Sequence, residues 1–483
     1  MEFIETKKNW IQVELRQVCD FIGGSQPSKK DFIYEHKLGY IRLIQIRDYK
    51  SNDYLTFIPL SKAKRLCSKD DVMIGRYGPP LFQILRGLEG AYNVALIKAK
   101  PINNQLLDNN FLCYFLKTNE IRSFIIQSSE RTVGQDGVRK DLLEQYPIPL
   151  PPLNEQHRIV AKLEQLLSKV QSCQERLDRI PKILKRFRQS VLAAACSGRL
   201  TEDWREQNPD VEPAIELLKR IRVSVRKGNQ IVNADEAPFE IPSTWEYSRI
   251  GQLTNNIKYG TSQKCGYEKD TIPVLRIPNI GSGIIDFSDL KYTDLSDREY
   301  EELKLKKGDI LLIRSNGSVS LVGKTAIVGR KEEEGFAYAG YLIRLRFDSQ
   351  NFNPFYINYI LSSYYIRLQI EMPARSTSGV NNINSNEVRN LTIPLPPLAE
   401  QQEIVQRVES LFHLADQVEQ KYNKAKAYVD HLTQSILAKA FRGELVPQDT
   451  NDEPAEALLE RIRNEKDSQD KAAGKKRSRK LEG

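Results

Sequence analysis

Thiols and imidazoles are scarce in this sequence. Six cysteines, at positions 19, 67, 113, 173, 196 and 265, include no C-x-x-C and have no histidine pair beside them. A zinc ribbon or a disulfide framework is therefore not expected, and the usage fits a reducing cytoplasm. Four histidines (36, 157, 413, 431) stand in no metal-ligand spacing, so no metal site is expected. Long apolar runs are missing too. Val191–Cys196 is among the longest, far short of the ~18 residues of a membrane span. The first five residues, Met1 to Glu5, lack the basic and apolar regions of a secretory signal. A cytoplasmic protein with no membrane role is the expectation.

What is present points to a folded chain. Twenty-one Tyr, 17 Phe and 3 Trp are far too many for a solvated polymer, and 483 residues supply two to four cores at roughly 100–200 residues each. Net charge is +9, with the excess in the first half of the chain. That balance permits a nucleic-acid partner without demonstrating one.

The strongest signal is self-similarity. Ile148-Pro149-Leu150-Pro151-Pro152-Leu153 with Glu155-Gln156 returns as Ile393-Pro394-Leu395-Pro396-Pro397-Leu398 with Glu400-Gln401. At the same offset Gln189-Ser190-Val191-Leu192-Ala193 returns as Gln434-Ser435-Ile436-Leu437-Ala438, and Gly198-x-Leu200 as Gly443-x-Leu445. The chain is read as a tandem duplication of a unit about half its length.

Ahead of each Pro-rich motif lie short β-branched and aromatic runs bounded by Gly, Pro, Asn and Asp, as strands should be. They are 40–46, 72–74 and 94–97 in the first half, and 274–277, 310–313 and 342–347 in the second. Helical stretches follow at 111–126 and 355–370. Ile41-Arg42-Leu43 is matched with Leu275-Arg276-Ile277, and Arg76 with Arg314. After each motif comes a heptad-spaced helix. Its seam is Val160, Leu163, Leu167, Val170, Leu177, Leu184 and Val191 in the first half. In the second it is Val405, Val408, Phe412, Ala415, Tyr422, Val429 and Ile436. At ~1.5 Å per residue such a rod reaches ~60 Å, with Pro181 expected to kink or interrupt the first one. Either each helix packs on its own domain or the two seams pack together; equal seams in a duplicated chain favour an antiparallel coiled coil. The fold class is α+β, two mixed α/β domains separated by two long helices, with pseudo-two-fold symmetry.

Catalytic motifs are only approached. Gly317 stands one residue too far from Gly323-Lys324-Thr325 for a phosphate-binding loop. Asn353-Pro354-Phe355-Tyr356 lacks the second proline of an amino-methyltransferase loop, and Phe21-Ile22-Gly23-Gly24-Ser25 lacks the last glycine of a cofactor-binding turn. Glu302-x-Lys304 with Asp289 imitates a metal-dependent nuclease only weakly. No catalytic constellation is left.

The repeated motifs carry a resemblance. Leu150-Pro151-Pro152-Leu153-x-Glu155-Gln156, Leu184 to Ala195, Leu200-Thr201-Glu202-Asp203-Trp204-Arg205 and Ile436 to Leu445 resemble the conserved regions of the specificity subunits of type I restriction–modification enzymes. The K-12-type (IA) subgroup is the nearest, and the likeness covers nearly the whole chain. It implies a non-catalytic subunit for DNA restriction, DNA methylation and phage defence that reads a bipartite asymmetric site in double-stranded DNA. The implied layout is target-recognition domain 1 at 1–152, conserved helical region 1 at 153–235, target-recognition domain 2 at 236–397, conserved helical region 2 at 398–470, and a basic disordered tail at 471–483. Two modification (methyltransferase) subunits and two restriction (translocase/nuclease) subunits are the implied partners. S-adenosylmethionine, ATP and Mg would sit on those partners, none on this chain. A stand-alone DNA-acting enzyme and a coiled-coil scaffold with no DNA role are the alternatives.

Base edges are read by Arg, Lys, Asn, Gln, Ser and Thr side chains at strand ends and in Gly-rich loops. The candidates in the first domain are Gln45, Arg47, Arg76, Tyr77, Arg131, Thr132 and Gln135. In the second they are Arg276, Asn279, Arg314, Ser315, Asn316, Arg375, Ser376 and Asn381. If the helices act as a ruler, an insertion between Leu163 and Leu177 needs a matching one between Val408 and Tyr422.

Overall fold

The computed structural model of the chain describes residues 7–129, 137–222, 239–254, 256–268, 271–281, 283–330, 334–374, 381–462 and 464. Arg131, Thr132, Gln135, Arg375, Ser376 and the tail from 471 lie outside the described residues. Two units emerge, one of residues 1–178 with 424–483 and one of residues 179–423.

In the first unit the apolar runs fold into two four-stranded sheets. One, wholly antiparallel, has the order Cys19–Gly23, Leu96–Pro101, Val72–Gly75, Gln83–Leu85. The other has the order Phe57–Pro59, Tyr40–Ile44, Gly90–Tyr92, Leu66–Cys67, with a parallel pair at its centre. The Pro-rich motif forms the strand Pro147–Leu150 on Ile11–Glu14, a two-stranded ribbon where proline's missing donor is tolerated.

The second unit follows the same plan. Asn256–Tyr259, Leu342–Arg346, Ile310–Ile313 and Thr325–Ile327 make the antiparallel sheet. Lys291–Thr293, Ile272–Leu275 and Ala337–Tyr338 make the second, again with one parallel pair. Glu246–Arg249 pairs with Thr392–Leu395, and Ser315–Asn316 with Asn381–Asn382.

Several boundaries differ from the sequence reading for local reasons. The run at 94–97 starts its strand at Leu96, because Asn93 accepts from the Ala95 N–H and makes a turn. The run at 40–46 stops at Ile44, where a turn capped by Asp48 begins. Each helical stretch is two helices: Asn109–Leu116 with Asn119–Ser129, and Pro354–Leu361 with Tyr364–Ala374.

The duplicated glutamine explains how motif and helix dock. Gln156 Oε1 accepts from Asp108 N at 2.8 Å, while its Nε2 donates to the Leu106 and Pro151 carbonyls. Asp108 in turn caps the helix Asn109–Leu116. Gln401 does the same for Asn353, the cap of Pro354–Leu361, and donates to Pro396. The Asn353-Pro354 near-motif is thus a helix start.

The heptad stretch of the first half is two helices, Leu153–Leu177 and Ile180–Cys196. Pro181 sits in the first turn of the second, where a missing N–H breaks no bond. The second half runs unbroken from Leu398 to Phe441. Within the first unit, Leu153–Leu177 packs on the 424–441 stretch. Val160, Leu163 and Val170 share a core with Ile436, Leu437, Ala440 and Phe441. Asp178 pairs with Lys426 at 3.2 Å, so the two stretches run in opposite directions. Within the second unit, Ile180–Cys196 lies along the 398–423 stretch: Arg188 reaches Asp416 at 2.7 Å and Glu419 at 2.8 Å. Val191 and Leu192 share a core with Val405 and Val408. Of the remaining seam positions, Leu184 and Ala415 are buried, and Leu167, Leu177, Phe412, Tyr422 and Val429 are partly so. The partner of the 163–177 segment is therefore the stretch after Lys426, and not Val408–Tyr422.

Candidate nucleic-acid interface

In each unit the polar candidates sit at the ends of two strands, one in each sheet. The first is the turn after the central strand of the mixed sheet. Gln45 N donates to Asp48 Oδ2 at 3.0 Å, and Gln45 Nε2 donates to Thr56 Oγ1 at 3.1 Å. Burial pushes the Asp48 carboxyl up, against the pull of the Gln45 N–H, Arg42 and Arg47. Arg47 is exposed, with its guanidinium 5.6 Å from the Tyr54 ring centroid.

The equivalent turn of the second unit corrects a pairing made on sequence. Strand registers set Ile44 opposite Tyr92 and Leu275 opposite Tyr338. The counterpart of Arg276 is therefore Gln45, three residues on from Arg42. Arg276 N donates to Asn279 Oδ1 at 2.7 Å, as Gln45 N does to Asp48. Asn279 is buried, and its Nδ2 donates to the Asp286 and Asp289 carbonyls. Its amide is consumed in building the loop. Arg276 pairs with Asp289 at 2.7 Å, so the Asp289 of the nuclease-like near-match is engaged in this loop. Glu302, from the same near-match, pairs with Lys258 at 3.3 Å.

The second strand end carries Arg76 and Arg314. Arg76 N donates to Ala95 O at 2.8 Å and its carbonyl accepts from Val138 N at 3.0 Å. Arg314 N donates to Tyr341 O at 2.8 Å and its carbonyl accepts from Ile383 N at 2.9 Å. Both backbones are pinned from two sides in the same way. A Cβ on Gly75 would lie 3.4 Å from Ile46 Cδ1, which sets the Arg76 loop against the Gln45–Asp48 turn.

Around Arg76 an open groove is lined by Tyr77, Gly137, Arg139 and Lys140. The Arg76 guanidinium lies 5.2 Å from the Tyr77 ring, and that ring rests on Gly137, where a Cβ would come within 2.8 Å of it. Around Arg314, Ser315 and Asn316 pair with Asn382 and Asn381. Asn381 Nδ2 donates to Gly317 O at 3.0 Å and Asn316 Oδ1 accepts from Ser318 N at 2.8 Å. Arg139, Lys140, Tyr54, Tyr259 and Asn382 are neighbours that sequence reasoning missed. Arg139 and Lys140 were visible as a basic pair opening a helix; the others come close only through the fold.

In each unit one glycine allows a close approach of two backbones. Gly24 N donates to Leu96 O and Gly260 N to Leu342 O. A Cβ would stand 1.9 Å from Asn93 O at the first position and 2.1 Å from Tyr338 O at the second. The supposed cofactor turn at Gly23-Gly24-Ser25 is this close approach of two backbones. Pinned polar side chains at strand ends can offer donors and acceptors to base edges, and the basic ones can meet phosphates.

Comparison with known proteins identifies the family. A family model described as the type I restriction modification DNA specificity domain matches twice, at residues 7–182 and 242–427. The chain is 31% identical to the type I restriction enzyme EcoKI specificity subunit of Escherichia coli (strain K12), over 98% of each protein. It is 30% identical to the StySPI specificity subunit of Salmonella potsdam, also over 98% of each. Among solved structures, a chain from a study of complex assembly in the type I R-M system aligns with a TM-score of 0.63 at 20% identity, covering 91% of this chain and 99% of that one. The HsdS subunit from Thermoanaerobacter tengcongensis aligns with a TM-score of 0.54 at 21% identity, covering 91% and 98%. The duplicated motifs, the doubled domain match and these relatives together make the chain a member of the specificity subunits of type I restriction–modification enzymes, the non-catalytic components that recognise the DNA target.

Proposed function

We propose that this chain reads a split, asymmetric site in double-stranded DNA, one half with residues 1–152 and the other with residues 236–397. The observation that carries the reading is the doubled strand-end loop, with Arg76 and Arg314 pinned by equivalent backbone bonds in sheets of the same order. Side-chain identities around the two arginines differ, as two different half-sites require. Gln45, Arg47, Arg76 and Tyr77 in the first domain, and Arg276, Arg314, Ser315, Asn316 and Asn381 in the second, are the proposed contacts. Arg139 and Lys140 join them as phosphate ligands.

The long helices of conserved regions 1 (153–235) and 2 (398–470), Leu153–Leu177, Ile180–Cys196 and Leu398–Phe441, act as an antiparallel coiled coil that sets the spacing between half-sites. The opposed directions of the packed stretches in each unit support this. Two modification and two restriction subunits assemble on the chain in the cytoplasm and bring S-adenosylmethionine, ATP and Mg. A duplicated chain offers each pair of partners two like surfaces. The test is a methylome of cells that carry this chain with its modification subunit. A motif of two specific blocks around an unspecified gap is expected; one uninterrupted block would contradict the reading.

A further inference from the structure

Arg314 is held by more than its strand. Its guanidinium carbon lies 4.6 Å from the centroid of the Tyr259 ring, and its Nε donates to Asn382 Oδ1 at 3.2 Å. Tyr259 ends the strand Asn256–Tyr259, just before the close approach at Gly260. Its hydroxyl accepts from Ser385 N at 2.8 Å, the first residue of the helix Ser385–Asn390. The ring is thus clamped at both ends, one by a sheet and one by a helix. It is also 38% exposed, so it fills no core.

With Nε committed and one face against the Tyr259 ring, the two Nη groups have no hydrogen-bond partner among the described residues. A planar fork of that kind matches the O6 and N7 acceptors of guanine, and fixing it beforehand removes the entropy cost of ordering it on DNA. In the first unit the stacking ring comes from Tyr77, the next residue, and rests on Gly137. The two repeats hold the same arginine with aromatics drawn from different elements.

We propose that Tyr259 is a specificity-determining positioning residue: its ring face orients the Arg314 fork, and discrimination at the base pair read by Arg314 depends on it. The inference rests on Arg314 being a base reader, as proposed above. The experiment compares methylomes of the assembled modification enzyme carrying Arg314→Ala, Tyr259→Met or Tyr259→Phe, with thermal unfolding of each. Met keeps the bulk of the side chain and loses the π-face, whereas Phe keeps the face and loses only the bond to Ser385.

Tyr259→Met should weaken discrimination roughly 3- to 30-fold at the same base position that Arg314→Ala loosens. The other half-site should stay intact and the unfolding temperature close to that of the parent. Tyr259→Phe should restore discrimination at that position. If Tyr259→Met leaves the motif intact while Arg314→Ala loosens it, the positioning role is overturned and the reading of Arg314 stands. If Arg314→Ala also leaves the motif intact, the base-reading role falls and the inference with it. A Tyr259→Phe variant as loose as Tyr259→Met would overturn the role of the ring face.

Discussion

Glu155 and Glu400 occupy the same place in the duplicated motif and meet different surroundings. Glu400 is buried and accepts from Trp245 Nε1 at 2.7 Å, Thr201 Oγ1 at 2.6 Å and Arg205 at 2.5 Å. Glu155 is equally buried, but its Oε1 has no partner among the described residues. Burial pushes the Glu155 carboxyl up, only partly offset by Trp10, Arg158 and Gln448. Arg205→Ala should cost about 3–5 kcal/mol, because it strips the charge partner from a buried carboxylate. Glu155→Gln should instead be neutral or stabilising by ~1 kcal/mol near neutral pH. Since the folded state holds the Glu155 proton above the ordinary carboxylate range, this group's contribution falls as pH rises through its raised pKa. The Glu155→Gln variant should lack that decline, which denaturant titrations from pH 4 to 8 would measure. Gly24→Ala and Gly260→Ala should each lose about 3 kcal/mol by forcing backbones apart, while Gly23→Ala, with open space around it, should stay within ~1 kcal/mol. Denaturation midpoints decide both. The strand-end positions of Arg76 and Arg314 were legible in the sequence because each closes a short apolar run, Arg314 directly and Arg76 after Gly75. The Trp245–Glu400–Arg205 cluster was not, since its members are far apart in the chain and meet only through folding.

At the scale of elements, proline placement separates the two long helical regions. Pro181 opens a new helix at Ile180, whereas Lys426, its counterpart in the duplicated register, lies inside an unbroken one. Heptad spacing located these helices correctly because their apolar seams face other elements. It did not reveal which stretch faces which, since every heptad presents the same pattern and only the fold selects a register. A four-residue insertion between Leu163 and Leu177 should misalign the packing with the stretch after Lys426 and lower stability. A second four-residue insertion between Lys426 and Ile436 should recover it. If these helices set the gap in the DNA target, the double insertion adds ~6 Å of helix against ~3.4 Å per base pair. The unspecified gap in the methylated motif should then lengthen by one or two base pairs with both specific blocks unchanged. An active double insertion with the original gap would contradict the ruler.

For the molecule as a whole, the duplication was plain in the sequence because the Pro-rich motifs repeat without slippage. The loop clusters were less so: Asn279 has the composition of a base reader, yet its buried amide serves its own turn. The central claim is that two like units read two different halves of one target. The most direct measurement is a pair of methylomes, from Arg76→Ala and Arg314→Ala, each assembled with the same modification subunit. Each variant should lose ~1–3 kcal/mol of discrimination at one position, Arg76→Ala in one specific block and Arg314→Ala in the other. Loosening of the same block by both, or of both blocks by either one, would contradict the account.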